Sequence, residues 1–94
     1  MSVYVDDAEI PYGRMVMCHM IADSREELDR MARLCGIDTR HIQCAGTPRE
    51  HYDVCKQARG TAIANGANPI TQRELARMVR ERRRGWAKAQ GATK

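Results

Sequence analysis

A chain of 94 residues has room for one domain with a modest core, because so short a chain buries only roughly 60–65% of the surface it exposes when unfolded. A composition of 43% hydrophobic and 30% charged residues excludes a disordered chain. The longest apolar stretch, Met15 to Ala22 with His19 inside it, excludes a membrane-spanning helix, which needs ~20 apolar residues. The net charge of +4 conceals a division: residues 1–55 sum to −4 and residues 56–94 to +8, so an acidic body carries a basic C-terminal third.

In chain order, Ser2–Asp6 alternates as a short strand, with Val3 and Val5 on one face and Tyr4 and Asp6 on the other. Pro11-Tyr12-Gly13 is a turn signal. Met15–Ala22 is apolar on both faces, the pattern of a central strand covered on both sides. His19 is its polar member and shares a face with Met17 and Ile21. Ser24-Arg25-Glu26-Glu27 has the spacing of a capping box. Leu28, Met31, Ala32 and Cys35 then form one apolar stripe, and Gly36 stops the helix. Ile37–Gln43 is a candidate short strand and Cys44–Glu50 a loop. Asp53 is placed to cap a second helix running to Asn65 and ended by Gly66. Ala67–Ile70 suits an edge strand. Thr71-Gln72-Arg73-Glu74 repeats the capping-box spacing, with Leu75, Met78 and Val79 as the stripe of a third helix. That stripe fails by Arg82, and Gly85 is expected to break the segment beyond it.

This order predicts a small single α/β domain over residues 1–79, a short, mostly parallel sheet with about three helices. Residues 80–94 are predicted to be a basic helix end and a flexible tail. The N-terminal MSVYVDDAEIP has no basic start and no apolar run, so the expected compartment is the cytoplasm. Cys18, Cys35, Cys44 and Cys55 contain no C-x-x-C pair and are expected to be reduced thiols.

Tyr4-Val5-Asp6-Asp7, Cys18-His19-Met20 leading into Ala22-Asp23 and the Glu27-Leu28 helix, then His51-Tyr52-Asp53 and Gly66-Ala67 succeed one another in this order. The series resembles the domain-of-unknown-function 4031 family, small proteins of bacteria and their phages, over roughly residues 3–75. The resemblance implies a unit of fold size and candidate positions, and carries no established activity with it.

Asp6, Asp7, His19, His51 and Asp53 are the residue types that perform chemistry, and strand ends and helix starts are where α/β sheets gather ligands. One reading is a divalent-metal site of Asp6, His19, His51 and Asp53, since two imidazoles with carboxylates suit Zn²⁺, Mn²⁺ or Fe²⁺. A second is a small-ligand or phosphate site drawing on Asp7, Tyr52, Lys56 and Arg59 near His51. A third is acid–base catalysis by His51 or His19, with Asp53 or Asp6 orienting the ring. The structural counterparts are a hydrogen-bonded core histidine at His19, turn chemistry at Asp6-Asp7 and a helix cap at Asp53. In the basic segment, Arg80, Arg82, Arg83 and Arg84 with Trp86 suit a nucleic acid or an acidic protein. A second copy's acidic body would serve equally, making a homo-oligomer. No membrane partner is expected. These features favour a binding or regulatory module over an enzyme, with a small metal-dependent hydrolase or nuclease-like enzyme using the His/Asp cluster as the alternative.

Overall fold

A computed structural model of the chain describes residues 2–91. Five strands form one mixed sheet: β1 (Val3–Val5), β2 (Ile10–Tyr12), β3 (Met15–Ala22), β4 (Tyr52–Cys55) and β5 (Asn68–Pro69). Three helices accompany it: α1 (Arg25–Leu34), α2 (Lys56–Ala64) and α3 (Gln72–Gly91). The eight-residue β3 is the spine. One of its edges carries β4, with Met20 opposite Tyr52. The other edge carries β1 beside its C-terminal half and β2 beside its N-terminal half. β5 completes the sheet beyond β1.

The sheet is mostly antiparallel, where a mostly parallel one was expected: among the described residues only β1 and β5 pair in parallel. The reason lies in the connections. A parallel neighbour needs a crossover, and β4–α2–β5 is such a unit, its two strands running in the same direction. After β3, α1 reverses the chain, but residues 35–51 then carry it back to the end where β3 finished, so β4 enters antiparallel. The turn expected at Pro11 is instead a strand, and the reversal falls on Gly13-Arg14, between paired Tyr12 and Met15. Gly13 takes a φ of 60°, which a two-residue hairpin with glycine in its first position requires.

α1 follows its sequence signals closely. Ser24 accepts the Glu27 amide at 3.2 Å while its hydroxyl donates to the Glu27 carboxylate at 2.9 Å. Leu28, Met31 and Ala32 are buried. Gly36, at φ 75°, allows the Ile37 amide to reach the Ala32 carbonyl and close the helix. Ile37–Gln43 forms a single 3₁₀ turn at Thr39–His41 rather than a strand, because Asp38 caps the Arg40 amide at 2.9 Å; only Gln43 pairs, with His51.

Asp53 caps no helix. It lies in β4, where Tyr52 and Val54 alternate into the core, and α2 begins after Cys55 with no side-chain cap. Tyr and Val favour a pleated, half-buried surface, and four residues between a loop and a helix are too few to show a period in the sequence. α3 runs through Gly85, which was expected to break it. Gly85 does not have a positive φ, and a glycine in an exposed helix costs only about 1 kcal/mol. Residues 92–94, the end of the expected tail, lie outside the described residues.

The core fills one face of the sheet. Val5, Cys18, Met20, Tyr52 and Val54 pack there against Leu28, Met31 and Ala32 of α1 and Ala58 and Ala62 of α2. By alternation Met17, His19, Ile21 and Asp53 face the other way, and α3 crosses that second face. Among the α3 residues whose burial is described, none is fully buried; Leu75, Met78, Val79 and Arg82 are half-buried. An open cleft therefore remains between the sheet and α3. Among the described residues no helix is long and apolar enough to cross a membrane.

Candidate functional site

The cleft under α3 has a volume of about 560 Å³ and is lined on the sheet side by His19, Ile21, Arg49 and His51. At one end of it His19, His51 and Asp53 come together. Each offers a donor atom, and the three atoms lie within 4.8 Å of one another. The sheet accounts for this convergence. His19 and Asp53 are direct cross-strand partners of β3 and β4, and His51, two residues before Asp53, points the same way. The two imidazoles meet edge to face with ring centres 5.5 Å apart.

Each donor is held from behind. Asp6, fully buried at the end of β1, accepts the His19 ring Nδ1–H at 2.8 Å on one oxygen. Its other oxygen accepts the His19 amide at 2.7 Å and the Ala8 amide at 3.3 Å. Nδ1 of His51 lies 2.7 Å from the Arg49 carbonyl; a carbonyl only accepts, so this nitrogen carries the proton. Both rings thus use Nδ1 as donor and leave Nε2 with its lone pair. Nε2 of His51 stands 3.5 Å from one Asp53 oxygen, and the other Asp53 oxygen accepts from Gln43 Nε2 at 2.6 Å. Two imidazoles and one carboxylate, each fixed by a further hydrogen bond, are a donor set that could hold a metal ion with coordination positions left open.

The expected site residues divide accordingly. His19, His51 and Asp53 are brought together. Asp6 spends both oxygens on His19 and Ala8 and stands behind the ring. The Asp7 carboxylate accepts the Gln72 amide at 2.8 Å, at the start of α3, where Thr71 and Glu74 also form the expected capping box. Lys56 pairs with Glu9 at 3.0 Å, and Arg59 donates to the Asp6 carbonyl at 2.7 Å; with Asp7 they border a separate depression. Tyr52 is buried in the core, its hydroxyl 2.5 Å from Asp29. In the basic segment, Arg80 and Arg83 line the cleft, Arg82 reaches Asp23 at 3.6 Å, Arg84 lies on a different groove, and Trp86 is about half exposed (49%). Arg49 and Gln43 emerge only from the structure. Arg49 carried no signal, because it sits in the turn before β4, where strand alternation does not apply. Gln43 carried none, since its link to Asp53 depends on the isolated pairing with His51.

The Asp6–His19 pair makes stability depend on pH. Burial pushes the Asp6 carboxyl up, but hydrogen bonds from the His19 ring, the His19 amide and the Ala8 amide outweigh it, and the group lies below its ordinary 3.8. The hydrogen bond to Asp6 raises His19 above its ordinary 6.5; burial opposes this, and the charges of Asp6 and Asp53 add to the rise. A raised histidine stabilises the fold fully below 6.5 and loses that contribution as pH rises through its folded value. A lowered carboxylate contributes above 3.8 and loses its part as pH falls through its folded value. In the presence of a chelator, the pair is therefore expected to contribute most between about pH 3.8 and 6.5. Urea unfolding across pH 4–9 checks this: the stability gap between wild type and Asp6→Asn narrows above pH 6.5, and a gap that widens there refutes the assignment.

The protein family described as protein of unknown function (DUF4031) matches residues 3–82 of the chain. No curated protein and no solved structure matches it.

Proposed function

Since the chain belongs to DUF4031, a family of proteins of unknown function, we propose from its site that it is a small ligand-binding module built around one divalent metal. The observation that supports this is the donor set itself: one ring nitrogen each of His19 and His51 and a carboxylate oxygen of Asp53, gathered within 4.8 Å, with each side chain oriented by a further hydrogen bond. Orienting hydrogen bonds of this kind accompany metal-binding histidines. Three protein donors leave coordination positions for an incoming ligand, and Zn²⁺, Mn²⁺ and Fe²⁺ all accept this mixture.

Protein purified without chelator is expected to carry close to one equivalent of metal by elemental analysis, and His51→Ala to carry little. His51→Ala should remain folded, since the ring lies at the cleft rather than in the core. Metal-free wild type whose thermal stability ignores Zn²⁺, Mn²⁺ and Fe²⁺ would overturn the proposal; a ligand of the folded state at 100 times its Kd adds about 2.7 kcal/mol. A second reading rests on the open positions of a three-ligand centre, where a metal supplies Lewis-acid activation of water. Phosphodiester turnover by metal-loaded wild type, absent from His51→Ala, would make the module a hydrolase.

A further inference from the structure

Beyond its metal, the cleft carries a charge pattern that identifies the ligand. Arg49 comes from the loop before β4, and Arg80 and Arg83 from α3, where both are exposed and border the cleft. None of these three guanidinium groups has an ion-pair partner among the described residues; other arginines share that, and what sets these three apart is that they gather at one cleft. Beside them the cleft wall is apolar, formed by Ile21, Leu75 and Val79. Cations with no internal counter-charge, gathered at a cleft next to a metal donor set, call for an anion supplied from outside. A small inorganic anion would leave the half-buried Leu75 and Val79 of that wall in water, Ile21 being already covered.

We infer that the cleft between the sheet and α3 binds a nucleotide phosphate, with Arg49, Arg80 and Arg83 on the phosphate oxygens and the base against Ile21, Leu75 and Val79. A volume of about 560 Å³ falls within the ordinary range of small-ligand pockets. This inference rests on the metal reading only for a further contact to the phosphate; the arginines and the apolar wall are independent of it. The basic C-terminal segment then acts through a helix that roofs the site, and not as a free tail.

The test is calorimetric titration of the full chain, loaded with Mn²⁺ or stripped by chelator, with four probes: adenosine monophosphate, adenosine, inorganic phosphate and a short 5′-phosphorylated single strand. Adenosine monophosphate is expected to bind at least about tenfold more tightly than either adenosine or phosphate, and Arg80→Ala and Arg83→Ala each to weaken it about tenfold or more. Arg77→Ala, outside the cleft, should change nothing. Tight strand binding that falls steeply between about 50 and 200 mM salt assigns the phosphate to nucleic acid. A mononucleotide bound as tightly as the strand assigns it to a free nucleotide. Both results support the inference. Adenosine binding as well as its monophosphate, or arginine variants indistinguishable from wild type, would overturn it. Metal retained without any nucleotide binding sinks this inference alone. Arginine-dependent nucleotide binding in a protein that takes up no metal sinks the metal reading alone.

Discussion

Asp6→Asn is expected to abolish the proposed metal binding while leaving the protein folded. The side-chain carbonyl of asparagine can take over the oxygen that accepts the His19 and Ala8 amides at 2.7 and 3.3 Å. Its amide nitrogen then occupies the place of the oxygen that accepts the His19 ring at 2.8 Å. That position becomes a donor, and two donors cannot face one another. The imidazole must therefore hold its proton on Nε2, which removes the lone pair from the metal site. Losing an orienting partner of a ligating histidine costs about 10–100-fold in metal affinity, and here the substitution imposes the wrong tautomer in addition. Asp6→Ala is harsher in a different way. It leaves the ring and two amides without an acceptor beside a fully buried position, and removing one partner of a buried pair costs about 3–5 kcal/mol. Metal titration and urea unfolding separate the two: Asn loses affinity with the smaller loss of stability, and Ala loses both. An Asp6→Asn protein binding metal as wild type does would show that Asp6 does not set the ring's tautomer.

The contrast between Asp6 and its neighbours shows what a single sequence can disclose. Helix α1 was legible because its cap, its stripe and its glycine stop all lie within thirteen residues, and local interactions decide it. β3 was legible as the central strand because eight consecutive positions alternate between two apolar faces. β4 was hidden because its stabilisation is almost entirely cross-strand: Tyr52 and Val54 find their partners on β3, more than thirty positions earlier. The same distance dependence governs the site. His19, His51 and Asp53 were evident as chemical types, and only the antiparallel entry of β4 sets His19 opposite Asp53. Had β4 joined in the parallel sense, that register would not exist. Asp53 was assigned to a helix start for the same reason, and Tyr52 was drawn into a ligand site because it sits between two residues that belong there. In a strand, adjacent residues face opposite ways, so the neighbour of two site residues is the one placed to serve the core.

Tyr52 turns that point into the second large expected effect. It is the largest of the fully buried side chains, and truncating a buried aromatic to alanine costs about 3–5 kcal/mol from a total that for small domains is about 5–15 kcal/mol. Tyr52→Ala is therefore expected to lower the midpoint of thermal unfolding by tens of degrees, at about 4–8 °C per kcal/mol, or to prevent folding. Tyr52→Phe isolates the hydroxyl. Its loss removes the hydrogen bond to a carboxylate that keeps Arg25 at 3.0 Å and a longer contact to the Thr39 carbonyl at 3.4 Å, so the expected cost is about 1–1.5 kcal/mol. The hydroxyl also titrates abnormally: burial, the hydrogen bond to Asp29 and the Asp29 charge push it up to about 12. A raised acid of this kind withdraws stability only as pH climbs from its ordinary 10.0 through its folded value, so phenolate absorbance from Tyr52 should be absent until unfolding begins. The decisive comparison is with the site on the opposite face. Tyr52→Phe should keep the metal of wild type with reduced stability, whereas His51→Ala, one residue away, should lose the metal and little stability. If Tyr52→Phe instead lost metal with its stability intact, the two faces of β4 would have exchanged roles, and with them the placement of the whole site.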